Sequence, residues 1–203
     1  MLNTGIIAKA RQLVDRIQYN EIAYVPRKFT TPARLIKSKS LAWVGLEKII
    51  EDIIHFSKIE TKCALEFGVE FGYSTTALAN YFNVVKGVDI FTGDIHAGHH
   101  GDIFELTKNN LKEFKNIHLI KADYRNFIKE NEEHFELIHV DIVHTYQDTF
   151  DCGLWSVEHS ECTIFHDTQS HPEVKRAVAE IARKTARKFY NYRPFNGLGI
   201  IIK

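Results

Sequence analysis

Short apolar segments alternate with segments of helical periodicity from residue 63 to residue 203, and this alternation limits the possible folds more than any other feature. The apolar segments are CALEFG, VVKGVDI, IHLIKAD, FELIHVD, CTIFHD and LGIIIK. Between some of them lie STTALANYF, DIFELTKNNLKEF and PEVKRAVAEIARKTARK, whose apolar residues recur at helical intervals. Because strands that alternate with helices form mostly parallel sheets covered on both faces, we predict an α/β fold.

The C-terminal segment departs from this alternation. KFYNYRPFNGLGIIIK contains two strand-like runs separated by Pro194, Asn196 and Gly197, which are residues typical of turns. We therefore predict an antiparallel hairpin at the end of the parallel sheet.

The N-terminal part has a different pattern. Residues 4–18 carry apolar side chains at helical spacing, residues 24–40 read as an irregular connection, and residues 40–58 predict a second helix. We predict an N-terminal helical extension over residues 1–60 and a cofactor-binding domain over residues 61–203. The apolar side of the second helix consists of Leu46, Ile49, Ile50, Ile53 and Ile54.

The composition excludes several classes of protein. The chain has 26 basic and 26 acidic residues and no formal net charge, which does not match the basic surface of a nucleic-acid-binding protein. No apolar run approaches the roughly 20 residues needed to span a bilayer. The three cysteines, Cys63, Cys152 and Cys162, are too scattered for a disulfide framework. We expect a cytoplasmic protein with neither nucleic acid nor membrane as a partner.

Acidic residues mark the ends of the predicted strands. Each of the first five apolar segments finishes in or just before a carboxylate residue, and in parallel sheets ligands collect at the carboxyl ends of the strands. These residues are Glu66, Asp89, Asp123, Asp141 and Asp167.

The first of these ends runs into a glycine turn, Glu66-x-Gly68-x-x-x-Gly72. Taken alone, this spacing fits a nucleotide-binding turn and a simple tight connection equally well. Asp89, however, lies 23 residues beyond Glu66, an offset at which a carboxylate accepts hydrogen bonds from ribose hydroxyls. Asp123 could likewise accept a hydrogen bond from an adenine amine.

The charge near the turn indicates which cofactor it suits. Glu70 stands where a dinucleotide fingerprint has another glycine, and Glu66 is also close to the turn in sequence. A pyrophosphate is poorly placed beside carboxylates, whereas a sulfonium with an amino-acid tail tolerates them.

With these residues the sequence resembles the class I S-adenosylmethionine-dependent methyltransferases over about residues 60–203. It is closest to the group that contains metal-dependent small-molecule and sugar O-methyltransferases (methyltransferase domain 24-like). The first strand of that group ends in E-x-G-x-x-x-G-x-S, matched here by Glu66, Gly68, Gly72 and Ser74.

The resemblance implies a Rossmann-like fold with a seven-stranded, mostly parallel sheet, a C-terminal antiparallel hairpin and helices on both faces. It also implies S-adenosylmethionine as the cofactor of the domain over residues 61–203. The residues implied for that cofactor are Glu66, Gly68, Gly72 and Ser74 at the turn and the methionine portion, Asp89 at the ribose, and Asp123 with Tyr124 at the adenine.

Two later segments, HVDIVHTYQDTFDCGLW and TIFHDTQSHP, carry the residues suited to chemistry. Carboxylates with a neighbouring imidazole can bind a divalent cation, so Asp141, His166 and Asp167 are the predicted ligands of Mg²⁺ or another such ion. The related O-methyltransferases have an acidic residue where this chain has His166. The resemblance makes His144 the general base for a hydroxyl proton, beside Asp141 at the catalytic centre.

The glycine- and histidine-rich segment TGDIHAGHHGD (92–102) fits no zinc pattern well, and we predict a loop over the active site. The leading interpretation is methyl transfer to a hydroxyl of a small molecule or sugar, in a possible homodimer. Two alternatives stay open: a Rossmann-type NAD(P)-dependent oxidoreductase, and a methyltransferase-fold protein with non-methylating metal chemistry or a binding role.

Overall fold

A twisted sheet of eight strands lies at the centre of the computed structural model, which describes residues 14, 17–37, 42–93, 95 and 99–203. The strands are β1 (Glu21–Ala23), β2 (Cys63–Phe67), β3 (Val84–Asp89), β4 (Ile117–Lys121), β5 (Phe135–Val140), β6 (Ser160–His166), β7 (Phe189–Tyr192) and β8 (Leu198–Ile202). Their order is β1-β7-β8-β6-β5-β2-β3-β4. Each strand is parallel to its neighbours except β8, which is antiparallel to both β6 and β7.

Helices cover both faces of the sheet. A 3₁₀-helix (Leu46–Ile49) leads into α1 (Ile50–Ser57), and the helices that follow are α2 (Tyr73–Ala79), α3 (Phe104–Leu111), α4 (Tyr124–Glu130), α5 (Tyr146–Glu158) and α6 (Pro172–Lys184). Local chemistry fixes several boundaries: the Thr145 hydroxyl accepts a hydrogen bond from the Asp148 amide at the start of α5, and proline occupies the first position of α6. Among the described helices, none has the length and apolar character needed to cross a membrane.

The predicted α/β fold is confirmed, including the C-terminal antiparallel hairpin. All six apolar segments contain strands. The inner strands are buried between the two helical layers, as in β2, where four of five residues are buried, whereas β4 lies at the edge of the sheet and its residues are half-buried or exposed. The chain runs from β2 outward through β3 to β4 and then returns to β5 beside β2. The carboxyl ends of β2 and β5 therefore form the topological switch point, where ligands bind in such sheets.

The N-terminal segment differs in part from the expectation of a helical extension. β1 comes from this segment and pairs in parallel with β7, adding an eighth strand to the seven that the resemblance implies. The predicted helix over 40–58 begins only at residue 46, after Gly45 with φ 109°. Its apolar side is buried against the sheet as predicted: Leu46, Ile49, Ile50, Ile53 and Ile54.

Most of the predicted helix over residues 4–18 lies outside the described residues. Residues 14 and 17–18 are helical, and the side chains of Val14 and Ile17 are exposed. The predicted homodimer and the domain boundary at residue 60 stay predictions.

A buried ionic cluster ties the N-terminal strand to the rest of the sheet. Glu21 in β1 is 4% exposed, and its carboxylate lies 2.8 Å from Lys175 Nζ and accepts a hydrogen bond of 2.8 Å from Arg193 Nε. These partners belong to α6 and to the segment after β7. A buried carboxylate, paired with two basic side chains, thus connects the segment before residue 60 to the C-terminal half of the chain.

Replacing Glu21 by Gln is expected to lower the free energy of unfolding by about 3–5 kcal/mol, because removing one member of a buried ion pair leaves the others uncompensated. Urea denaturation followed by circular dichroism measures the change. The matched control is Glu60→Gln, which removes an exposed carboxylate paired with the exposed Lys62 and should leave stability unchanged within error. Equal stability of the two variants would mean that the buried ion pairs of Glu21 add no net stability to the fold.

Candidate active site

The glycine turn after β2 has the backbone conformation that glycine favours. Gly68 has φ 87° and Gly72 has φ 90°, and Glu70 between them also lies in the left-handed region at φ 50°. A Cβ on Gly68 would lie 1.7 Å from the carbonyl oxygen of Asp141, so the backbones after β2 and β5 are in direct contact. Position 68 therefore accepts no side chain, for a reason of packing as well as of φ.

The carboxylate of Asp89, at the end of β3, supports this turn from one side. Its Oδ2 accepts hydrogen bonds of 2.8 Å from the amides of both Val69 and Glu70, and its Oδ1 accepts one of 2.6 Å from the Phe91 amide. A carboxylate has about four acceptor positions, so the backbone uses three of them, and the predicted contact of Asp89 with a ribose stays a prediction. The same bonds occupy two amides that a pyrophosphate would need.

Glu66 is fully buried behind the turn. Its Oε1 lies 2.8 Å from His139 Nδ1, and its Oε2 accepts a hydrogen bond from the Thr75 hydroxyl. Both carboxylate oxygens therefore bind protein groups, and Glu66 fixes β2, β5 and α2 relative to one another. Its predicted place near the methionine portion of the cofactor stays a prediction.

The remaining residues predicted for the cofactor lie at the starts of two helices. Ser74 is buried in the first turn of α2. Asp123 caps α4 by accepting a hydrogen bond of 2.8 Å from the Arg125 amide, and the Tyr124 hydroxyl donates one of 2.7 Å to Asp148. Asp123, Tyr124 and Asp148 are therefore linked by hydrogen bonds after the end of β4, because Arg125 binds both Asp123 and Asp148.

The four residues predicted for chemistry converge at the ends of β5 and β6. His166 Nδ1 lies 3.0 Å from Asp141 Oδ2 and 3.2 Å from Asp167 Oδ2. His144 Nε2 lies 3.0 Å from Asp167 Oδ2 and 3.5 Å from Asp141 Oδ1. The side chains of His166 and Asp167 are buried, and those of His144 and Asp141 are partly exposed.

Two imidazoles facing two carboxylates shift the protonation of all four groups. Burial alone would lower the pKa of His166, but the charge of Asp141 and hydrogen bonding to it and Asp167 raise that pKa to about 10. Burial alone would also lower the pKa of His144, but hydrogen bonding to Asp141 and Asp167 raises that pKa to about 9. Burial would raise the pKa values of Asp141 and Asp167, yet the two imidazoles hold both well below the usual range.

The donor set fits a divalent cation. Asp141, His166 and Asp167 place ligand atoms within 4.8 Å of one another, as do His144, Asp167 and His171, and among the residues that the structure describes these are the groups close enough to hold an ion. Carboxylate oxygens and imidazole nitrogens are both common ligands of divalent ions. The two groups share Asp167, so they belong to one site.

Parts of the histidine-rich loop also reach the glycine turn. His99 Nδ1 lies 3.8 Å from Glu70 Oε1, and its ring packs against Phe71 with centroids 5.3 Å apart. His96 lies outside the described residues. The loop therefore contacts the turn through His99.

Three residues that the sequence analysis did not assign contribute to this site. His139 pairs in register with Glu66 across β2 and β5, so a histidine inside an apolar strand opposite a buried acid was the available signal. His171 follows Asp167 by four residues and stacks on His144 with ring centroids 4.0 Å apart. Trp43 lies against His139 with ring centroids 5.0 Å apart, and no local pattern indicated this contact.

A glycine turn at the switch point whose Val69 and Glu70 amides bind Asp89, in a sheet that ends with an antiparallel hairpin, is typical of the class I S-adenosylmethionine-dependent methyltransferases. The class predicted from the sequence is confirmed. The chain belongs to the family described as "Methyltransferase domain", whose profile matches residues 65–168, just over half of its length. Among curated proteins, none matches the chain.

Solved structures of methyltransferases share the fold at low sequence identity. The O-methyltransferase NovP has a TM-score of 0.62 and 14% identity, with 79% of this chain and 78% of NovP covered. The O-methyltransferase from Bacillus cereus, in complex with S-adenosylhomocysteine, has a TM-score of 0.56 and 12% identity, with coverage of 100% and 93%. SMU.1697c from Streptococcus mutans, also in complex with S-adenosylhomocysteine, has a TM-score of 0.57 and 17% identity, with coverage of 76% and 97%.

Proposed function

We propose that the protein transfers the methyl group of S-adenosylmethionine to a hydroxyl oxygen of a small molecule or sugar, with the help of a divalent cation. The contact between the glycine turn and the carboxylate cluster carries this proposal: Gly68 lies against the backbone of Asp141. A methyl donor held at the turn would therefore lie beside the residues that bind and orient the acceptor. The bound S-adenosylhomocysteine in the Bacillus cereus structure supports the same choice of donor.

In the proposed reaction the hydroxyl oxygen attacks the methyl carbon in line with the carbon–sulfur bond. The oxygen–carbon bond forms as the carbon–sulfur bond breaks, S-adenosylhomocysteine leaves, and the hydroxyl proton passes to a base. Asp141, His166 and Asp167 would hold the cation, which lowers the pKa of a hydroxyl bound next to it. The sequence assigns the base to His144, whose Nε2 is 3.0 Å from Asp167.

Binding measurements with unlabelled cofactors separate this proposal from the oxidoreductase alternative. Isothermal titration calorimetry is expected to give saturable binding of S-adenosylhomocysteine and none of NADH, because Asp89 occupies the Val69 and Glu70 amides. Tight NADH binding without S-adenosylhomocysteine binding would overturn the proposal.

The acceptor class is tested by product analysis. The protein is incubated with S-adenosylmethionine and a panel of sugars and phenols, and mass spectrometry measures both S-adenosylhomocysteine and the methylated product. We expect turnover of one acceptor class and none of the matched compound whose hydroxyl is already methylated. Methylation of an amine or thiol analogue in preference to the hydroxyl compound would contradict transfer to oxygen.

A further inference from the structure

The cluster at the ends of β5 and β6 contains more nitrogen than a magnesium site requires. We infer that it is a cation site that selects a first-row transition ion over Mg²⁺, with two imidazole and two carboxylate ligands. The ligands are His144, His166, Asp141 and Asp167. The inference rests on the cation part of the proposed function and is independent of the identity of the methyl acceptor.

The distances between the four side chains match one coordination sphere. The imidazole nitrogens and carboxylate oxygens are separated by 3.0, 3.0, 3.2 and 3.5 Å. With bonds of about 2.1 Å, neighbouring ligand atoms are about 3.0 Å apart in an octahedral site and about 3.4 Å apart in a tetrahedral one. Each imidazole nitrogen thus lies from both carboxylates at a distance that neighbouring ligands of one ion would have, and an ion that binds there would displace the protons now shared between imidazole and carboxylate.

The chemistry of the donors decides which ion this position prefers. Mg²⁺ is a hard ion that prefers oxygen ligands, whereas imidazole suits zinc, nickel, iron and related ions. His166 stands at the end of β6 and His144 follows β5 on the way to α5, so each strand end contributes one nitrogen and one oxygen donor. Replacing half of the oxygen donors by imidazole lowers the affinity for Mg²⁺ and raises that for a transition ion.

Surrounding residues hold these ligands in place. Ser170 Oγ donates a hydrogen bond to Asp167 Oδ1, and His171 stacks on His144 with rings 23° from parallel. Asp167 itself has φ 63°, a conformation that turns its carboxylate from the strand direction into the cluster. Such outer contacts orient metal ligands and are part of a built site.

The inference changes the role of His144. An imidazole nitrogen that binds a cation cannot accept the hydroxyl proton at the same time. Because Nε2 is the atom directed between Asp141 and Asp167, His144 acts as a ligand when the cation is bound, and the hydroxyl proton then passes to a water molecule.

Metal titrations of the protein test the inference without any methyl acceptor. Tag-free, chelator-stripped protein is titrated with MgCl₂ and with CoCl₂ by calorimetry, and the visible absorption of Co²⁺ reports nitrogen ligands. We expect the dissociation constant for Co²⁺ to be lower than that for Mg²⁺ by about 100-fold or more. The variant His166→Asp is expected to reduce the ratio of the Mg²⁺ and Co²⁺ dissociation constants by about 10-fold or more, because it replaces a nitrogen donor by an oxygen donor.

Two further variants complete the test. His144→Gln changes a more accessible side chain than His166 and should weaken Co²⁺ binding by about 10-fold or more without strengthening Mg²⁺ binding. His100→Gln, in the exposed histidine-rich loop, is the matched control and should leave both affinities unchanged.

The possible outcomes separate the inference from the proposed function. Binding of Mg²⁺ as tight as that of Co²⁺, or tighter, would overturn the selectivity while leaving cation-assisted methyl transfer in place. If neither Mg²⁺ nor Co²⁺ binds, both the selectivity and the cation part of the proposed function are overturned. Loss of Co²⁺ binding in His100→Gln, with His144→Gln unchanged, would place the ion in the loop and overturn the assignment of ligands.

Discussion

Replacing Gly68 by Ala is expected to abolish S-adenosylhomocysteine binding and to lower the free energy of unfolding by about 3 kcal/mol or more. The methyl group would meet the carbonyl oxygen of Asp141 at 1.7 Å, and φ at this position is 87°. Neither backbone can move easily, because the Gly68 amide donates to Val88 and the Asp141 amide donates to Phe67. The two strand ends must separate to accept the change, and the turn separates with them.

The control for this variant is Gly101→Ala. Gly101 has φ 95°, but a Cβ there has nothing within 4 Å, so the substitution introduces backbone strain without a clash. We expect it to cost about 1–2 kcal/mol and to leave cofactor binding intact. Urea denaturation, soluble yield and calorimetry with S-adenosylhomocysteine compare the two. Similar stability of both variants would show that the contact between Gly68 and Asp141 does not constrain the site.

Local sequence patterns were sufficient to predict the α/β architecture from β2 onward and to predict which strand ends meet. Each apolar run contains a strand, the inner strands are buried between helices, and the helices follow the spacing of their apolar residues. Asp141 and Asp167 could be placed together without coordinates, because the ends of neighbouring parallel strands share one edge of the sheet.

Contacts that depend on register and on side-chain direction could not be predicted in the same way. The pairing of Glu66 with His139 requires that β5 lie beside β2 in one particular register. Asp89 was predicted to face a ribose, yet most of its acceptor positions bind backbone amides of the turn. Strand β1 has only three residues, too few for a periodic signal, and it exists because the buried carboxylate of Glu21 binds Lys175 and Arg193.

These contacts also separate the acids that stabilise the glycine turn from those at the neighbouring strand ends. The carboxylate of Glu66 binds the side chains of Thr75 and His139, and the carboxylate of Asp89 binds backbone amides of the turn and of Phe91. Asp141 and Asp167 project from the next two strands, and their carboxylates face imidazoles instead. Of the five acids that look equivalent in the sequence, Glu66 and Asp89 therefore fix the turn, Asp123 caps α4, and Asp141 and Asp167 face imidazoles.

Replacing Asp167 by Asn is expected to lower kcat/KM for methyl transfer by about 100-fold or more, because it removes a negatively charged ligand from the cluster. Asparagine has nearly the same shape and tolerates the left-handed conformation that Asp167 adopts at φ 63°, so the chain should still fold. The rate is measured with the acceptor found by product analysis. The affinity for S-adenosylhomocysteine should not change, because Asp167 directly follows β6 and is not part of the glycine turn. Asp151→Asn, on a solvent-facing turn of α5, is the matched control and should keep full activity. An unchanged kcat/KM for Asp167→Asn would mean that the carboxylate cluster takes no part in the reaction. Loss of S-adenosylhomocysteine binding together with loss of activity would mean that the substitution distorts the whole edge of the sheet.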